Sequence, residues 1–280
     1  MSILAGKGQF PLLVAHAARR LGHDPYIFRI KDEADQDWSG FDSAEISIAD
    51  LSAFAAITRR EGIGSVVLAG GIGRRPEVSE LRLTWRSLSA LPTALRVFAS
   101  AGDDKLLRFA IKVLENEGVR VLPAQLVAPD LLCEAGPLGR VRPTRADLGD
   151  IASASDAALV LGRLDVGQGA VSVGGRVIAL EGLEGTDAML ERVAGLRASK
   201  RLSSRHGGVL VKLCKPDQDE RADLPSVGPD TVIRAHAAGL AGIAIEAGRA
   251  LVLERQRVVA EADRLGLFVT GIRPGKEGGE

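Results

Sequence analysis

Cysteine is scarce in this chain: Cys133 and Cys214 stand far apart and form no CxxC or Cys/His metal spacing. A zinc ribbon is therefore excluded, and a reducing compartment fits. Aromatic residues are few as well, 7 Phe, 2 Trp and 1 Tyr, which leaves few platforms for stacking bases. Charge of neither sign is in excess, because 36 Lys and Arg balance 36 Asp and Glu. No bulk attraction to phosphates supports a nucleic-acid partner, and none is expected. No run of about 18 apolar residues occurs, so no spanning helix is expected. The opening MSILAGKGQF lacks the charged region and apolar core of an export signal, and a cytoplasmic protein is expected. A lipid substrate stays open, since a cleft between domains takes up acyl chains without any segment crossing a bilayer.

What is present is the make-up of a globular protein, 46% hydrophobic and 26% charged over 280 residues. Domains run to roughly 100–200 residues, so two are expected. The first half repeats the order strand, glycine loop, helix. Ile3 to Ala5 reads as a strand, Gly6-Lys7-Gly8-Gln9-Phe10-Pro11 as a tight loop, and Leu12 to Leu21 as an amphipathic helix ended by Gly22. Pro25 to Ile30 reads as a second strand and Leu51 to Thr58 as a helix. Ser65 to Ala69 is a buried strand leading into Gly70-Gly71-Ile72-Gly73-Arg74-Arg75-Pro76, and Asp104 to Glu117 is a helix before a strand at Val119 to Leu122. Strands alternating with helices predict a parallel, Rossmann-like sheet.

Both glycine loops offer backbone N–H groups and a helix N-terminus to phosphate, which makes Gly8, Gln9 and Gly71 candidate substrate contacts. A nicotinamide dehydrogenase is disfavoured. Pro11 occupies the third glycine position of G-x-G-x-x-G, and the second strand ends in Arg29, Ile30 and Lys31 where an acid for the ribose is expected. A plain glycine turn is the simpler account of either loop alone. The stripe Trp85, Leu88, Leu91, Leu95 and Phe98 reads as core packing, with acyl-chain contact as the minority reading.

Pro129, Gly136-Pro137, Gly139 and Pro143 then break the pattern. The expected division is a domain over 1–125, a linker over 126–143 and a second α/β domain over 144–280. That domain reads as a helix at Asp147 to Leu161, a hairpin of Ala170 to Val173 and Arg176 to Glu181 around Gly174-Gly175, a helix at Thr186 to Val193 and a strand at Val209 to Leu213. Gln168 and Gly169 open the hairpin and are candidate substrate contacts that could meet an anion. Glu184-Gly185-Thr186-Asp187 puts a polar turn at a helix N-terminus, so Thr186 and Asp187 join the candidates for an anion.

The most unusual stretch is the loop from Lys215 to Gly228, which precedes a helix starting near Thr231. Four carboxylates and two cations fall in its first nine residues. Solvated charge is one reading. The other is a site, in which Asp223 is held in a fixed direction by the Leu224-Pro225 that follows, and Lys212, Lys215 and Arg221 are candidate phosphate contacts. The four histidines form no H-E-x-x-H pair, and neither a G-x-S-x-G elbow nor a Walker loop occurs.

The order of motifs resembles the UDP-2,3-diacylglucosamine pyrophosphatases of the lipid A pathway, the type unrelated to metallophosphoesterases. The matching stretches are Gly6-x-Gly8-x-x-Pro11, Gly102-Asp103-Asp104-x-Leu106-Leu107-Arg108 and Arg163-Leu164-Asp165-x-Gly167-Gln168-Gly169-Ala170-Val171. They continue with Glu184 to Leu190, Lys215-Pro216-x-Gln218-Asp219, Asp223-Leu224-Pro225 and Ala238 to Ile243. The glycine-rich second loop departs from that pattern. The resemblance implies a Mg2+-dependent hydrolase releasing 2,3-diacylglucosamine 1-phosphate and UMP, with the lipid held between a Rossmann-like domain and a distinct C-terminal domain. It ties catalysis to Asp223, and because Mg2+ takes only one or two carboxylates, Asp219 is the second metal-ligand candidate with Asp187 as the alternative. Transient contact with the cytoplasmic face of the inner membrane and a homodimer complete the expectations. Hydrolysis of non-acylated UDP-sugars, or ligand binding without catalysis, remain the competing readings.

Overall fold

The structure, a computed structural model, describes residues 1–74, 80, 82, 84–85, 103–202, 207–216, 218–221 and 223–274. Arg75, Pro76, Leu88, Leu91, Leu95, Phe98, Gly102, His206, Asp217 and Ala222 lie outside the described residues. The chain divides into two compact units: Met1–Asp130 with Asp219–Asp223, and Leu131–Gln218 with Leu224–Glu280.

The first unit is a parallel sheet. Its strands are β1 (Ser2–Ala5), β2 (Tyr26–Ile30), β3 (Ser43–Ile46), β4 (Ser65–Ala69) and β5 (Arg120–Leu122), and the helices are α1 (Phe10–Arg20), α2 (Leu51–Arg60), α3 (Asp103–Asn116) and α4 (Ala124–Val127). Strand order is β3-β2-β1-β4-β5, and every pairing is parallel. That is the Rossmann-like order with its reversal beside β1, and it bears out the sequence reading. Strands buried on both faces need continuous apolar runs, which Ile27, Phe28, Val66 and Val67 supply. Phe28 and Phe54 pack at 4.8 Å between ring centroids, with Ile111 and Leu114 in the same core.

The second unit is built on a mixed sheet. It comprises β6 (Gly136–Pro137), α5 (Arg145–Arg163), β7 (Gly169–Val173), β8 (Arg176–Leu180), α6 (Gly185–Ala198) and β9 (Val209–Lys212). They are followed by β10 (Ser226–Val227), α7 (Pro229–Ala237), β11 (Gly242–Glu246), β12 (Leu251–Val252), α8 (Arg255–Leu265) and β13 (Phe268–Ile272). Six strands run in the order β6-β13-β11-β9-β7-β8, and β10 pairs with β12 apart from them. The strands β9, β11 and β13 are parallel, whereas β7 runs antiparallel to both β8 and β9. Gly174 and Gly175 turn the β7–β8 hairpin with φ of 63° and 78°, a left-handed pair that favours glycine. No described helix is long and apolar enough to cross a membrane.

Candidate active site

Pairing register gathers the motifs of the second unit at one sheet edge. Gly169, at the start of β7, lies opposite Lys212 at the end of β9; Ala170 lies opposite Leu180; Ile245 of β11 also pairs with Lys212. The segments 163–168, 181–187, 213–216 and 246–249 therefore leave or enter the sheet on the same side, the carboxyl ends of its parallel strands. Open α/β sheets bind ligands at this edge.

Hydrogen bonds tie these segments together. The Leu213 N–H donates to Gln168 O at 2.9 Å. The Lys215 ammonium lies 2.7 Å from Asp165 Oδ1, and Asp165 itself is held at φ 54°. Gln168 N–H reaches Glu181 Oε2 at 3.2 Å, and the Thr186 hydroxyl donates to Glu181 Oε1. Cys214 N–H donates to Glu246 Oε2 at 2.9 Å. Gln168, Gly169, Thr186, Lys212 and Lys215 are thus brought together. The Lys212 ammonium is buried and donates to Ser226 O at 3.1 Å, so it steadies the strand that follows Asp223-Leu224-Pro225. Asp187 is turned elsewhere, 3.3 Å from Arg234 on α7.

Asp219, Arg221 and Asp223 belong to the first unit. There the Asp219 N–H donates to Asp104 Oδ1 at 3.4 Å, which joins two of the matched motifs. Arg221 grips Asp219 through Nε to Oδ1 at 2.9 Å and Nη2 to Oδ2 at 2.7 Å, and reaches Glu115 Oε1 at 2.9 Å. The Arg221 guanidinium holds the Asp219 carboxyl below the usual carboxylate range. Asp223 is exposed, and the next two residues, Leu224 and Pro225, are buried, with Pro225 O accepting the Leu251 N–H at 2.8 Å. Among the described residues no three His, Cys, Asp or Glu group as metal ligands.

The two glycine loops of the first unit are stitched to each other. Lys7 N–H donates to Gly71 O at 2.8 Å and Gly71 N–H to Lys7 O at 3.1 Å. A Cβ on Gly70 would stand 2.8 Å from Gly6 C, and its φ is 93°, so glycine is required there twice over. Two carboxylates beyond β2 take two further donors: Asp35 Oδ1 accepts from Gly8 N–H at 2.9 Å, and buried Glu33 Oε2 accepts from Gly73 N–H at 2.9 Å with the Lys7 ammonium 3.3 Å away. The Gln36 carboxamide, aided by Gly8 N–H and the Lys7 charge, holds Asp35 below the usual carboxylate range. Gln9 is exposed at the start of α1 and makes no side-chain cap. Sequence reasoning missed Glu33, Asp35, Glu181 and Glu246. The signal available was an acid at, or within a few residues past, the end of a strand.

Comparison with known proteins decides the family. The model of the LpxI N-terminal domain matches residues 1–131, and that of the LpxI C-terminal domain matches residues 134–270. The chain belongs to the LpxI family. It is 41% identical over 275 residues to the UDP-2,3-diacylglucosamine pyrophosphatase LpxI of Caulobacter vibrioides, an alignment covering 98% of each chain. Membership accounts for the two-part organisation, since the family's N- and C-terminal domains meet near residue 132.

Proposed function

We propose that this protein hydrolyses UDP-2,3-diacylglucosamine to 2,3-diacylglucosamine 1-phosphate and UMP in lipid A biosynthesis. The observation that carries the reading is the 41% identity, over nearly the whole of both chains, to a relative named for that activity. The geometry agrees with it, because the second unit presents Gln168, Thr186 and Lys215 from separate segments at one sheet edge.

Asp223 is assigned to water activation or metal binding. A positioned base contributes about 10²–10⁴-fold, roughly 3–5 kcal/mol, against the ~8–23 kcal/mol that enzymes supply. Charge neutralisation of the diphosphate by Lys215 and by other cations is the natural source of the remainder. A Mg2+ ion needs only one or two carboxylates beside waters and phosphate oxygens. Asp223 is exposed, and Asp219 can meet that demand only once released by Arg221. Bound there, the ion would offset negative charge developing on the phosphoryl oxygens.

The test is UMP release from UDP-2,3-diacylglucosamine by the purified protein with and without chelator, beside Asp223→Ala. Turnover that stops on both treatments supports the reading, and undiminished turnover by Asp223→Ala removes the role of that residue. Equal turnover of non-acylated UDP-glucosamine would overturn the lipid substrate, since acyl contacts contribute binding energy only to the acylated one.

A further inference from the structure

The Gly167-Gln168-Gly169 turn and the Glu184 to Asp187 turn are joined by a residue outside both motifs. Glu181 is buried, with 6% of its surface exposed. Its Oε1 accepts from the Thr186 hydroxyl and its Oε2 from Gln168 N–H at 3.2 Å, while its own N–H donates to Gly169 O at 2.9 Å. The two glycines make room for it. A Cβ on Gly167 would stand 2.3 Å from Glu181 O, and one on Gly169 would stand 2.8 Å from Glu181 Oε2. Neither glycine has a left-handed φ, so close approach is what they supply.

Among the described residues no cation pairs with this carboxylate. A buried charge held only by neutral donors is a poor way to gain stability, and an apolar residue of similar volume would serve packing better. What the carboxylate does achieve is order at Gln168. The Gln168 main chain is fixed on both sides, by Glu181 Oε2 at its N–H and by the Leu213 N–H at its carbonyl. Its side-chain Oε1 is nevertheless buried without a donor among the described residues. An acceptor kept that way is costly unless something arrives to fill it.

We propose that Glu181 is a positioning residue that fixes Gln168 so that Gln168 Oε1 accepts a hydrogen bond from the glucosamine unit of the substrate. The donor is a sugar hydroxyl or an amide N–H, the two kinds that the acylated sugar carries. The inference rests on the hydrolase reading above and names the residue pair that recognises the sugar.

Steady-state kinetics of the full chain test it, with UDP-2,3-diacylglucosamine as substrate and Glu181→Gln, Gln168→Ala and the double variant beside wild type. Each single change is expected to raise KM about three- to tenfold, the loss of one neutral hydrogen bond, with kcat held within about twofold. The double variant is expected to be no worse than Gln168→Ala alone, because Glu181 acts through Gln168. Should Glu181→Gln fold poorly by urea unfolding, Gly169→Ala replaces it, since its Cβ displaces only the far end of the Glu181 side chain. Losses that multiply in the double variant, or a fall in kcat at unchanged KM, overturn the assignment while the hydrolase reading stands. A wild-type chain that releases no UMP overturns the hydrolase reading itself.

Discussion

Asp219 meets Arg221 through both carboxylate oxygens and also accepts the Arg221 backbone N–H at 3.1 Å. Its folded-state pKa is therefore below the unfolded value of about 3.9. Stability from the pair is present above the unfolded value and is lost as pH falls through the folded one. Urea unfolding at a series of pH values should show wild type losing, below about pH 4, an advantage over Asp219→Asn that it holds at neutral pH. Curves parallel at every pH would contradict this. The Arg221 side chain is 36% exposed, so solvent screening keeps the amplitude below about 1 kcal/mol. Cys133 shows the opposite effect of its surroundings, because burial pushes its thiol up to about 11. Almost no thiolate exists at pH near 8, and Cys214 is buried too. Ellman's reagent should accordingly react slowly with the native protein and completely in urea. Rapid native labelling would show that one of the two is open to solvent.

Elements are held to each other by a few buried polar residues, and Asp150 on α5 is the clearest. Its carboxylate accepts from Ser172 Oγ at 2.6 Å, Gly174 N–H at 3.1 Å and Gly175 N–H at 2.7 Å, so the helix fixes the β7–β8 hairpin. Asp150→Ala should cost about 2–3 kcal/mol, whereas Thr144→Ala, which removes the capping box of the same helix, should cost about 1 kcal/mol. Urea midpoints in the reverse order would refute this ranking. These elements also show what sequence conveys. Ser65–Ala69 was readable to the residue because it is an apolar run closed by Gly70. By contrast β3 lies at the sheet edge with Glu45 exposed, so it carries no apolar run, and the two-residue strands β6, β10 and β12 are too short for any period. The site divides the same way. Gln168, Gly169 and Thr186 announce themselves as glycine and polar turns between apolar strands. Glu33 does not: the acid sought at the end of β2 is displaced past Asp32, at φ 64°, and then bonds Gly73, forty residues on. Such partners become neighbours only when the sheet order is known.

At the scale of the molecule, the path of the chain assigns Asp223 its support. The first unit includes Asp219–Asp223 although the residues on either side, Gln218 and Leu224, belong to the second. Within the first unit this five-residue segment is held by Asp104 and by the Arg221–Glu115 ion pair at 2.9 Å, both provided by α3. Glu115 is 37% exposed and Arg221 36%, so removing their contact should change stability by less than about 1 kcal/mol. On the role proposed for Asp223, activity should be more sensitive, because displacing a catalytic group by about 1 Å can cost on the order of 10²-fold. Glu115→Ala is thus expected to lower kcat for UMP release about ten- to a hundredfold while its urea midpoint stays near that of wild type. Hydrogen exchange supplies the mechanism's own readout: amides of Asp219 to Arg221 should lose protection while those of β1 and β4 keep theirs. If kcat is unchanged when that protection is lost, the placement of Asp223 does not depend on α3.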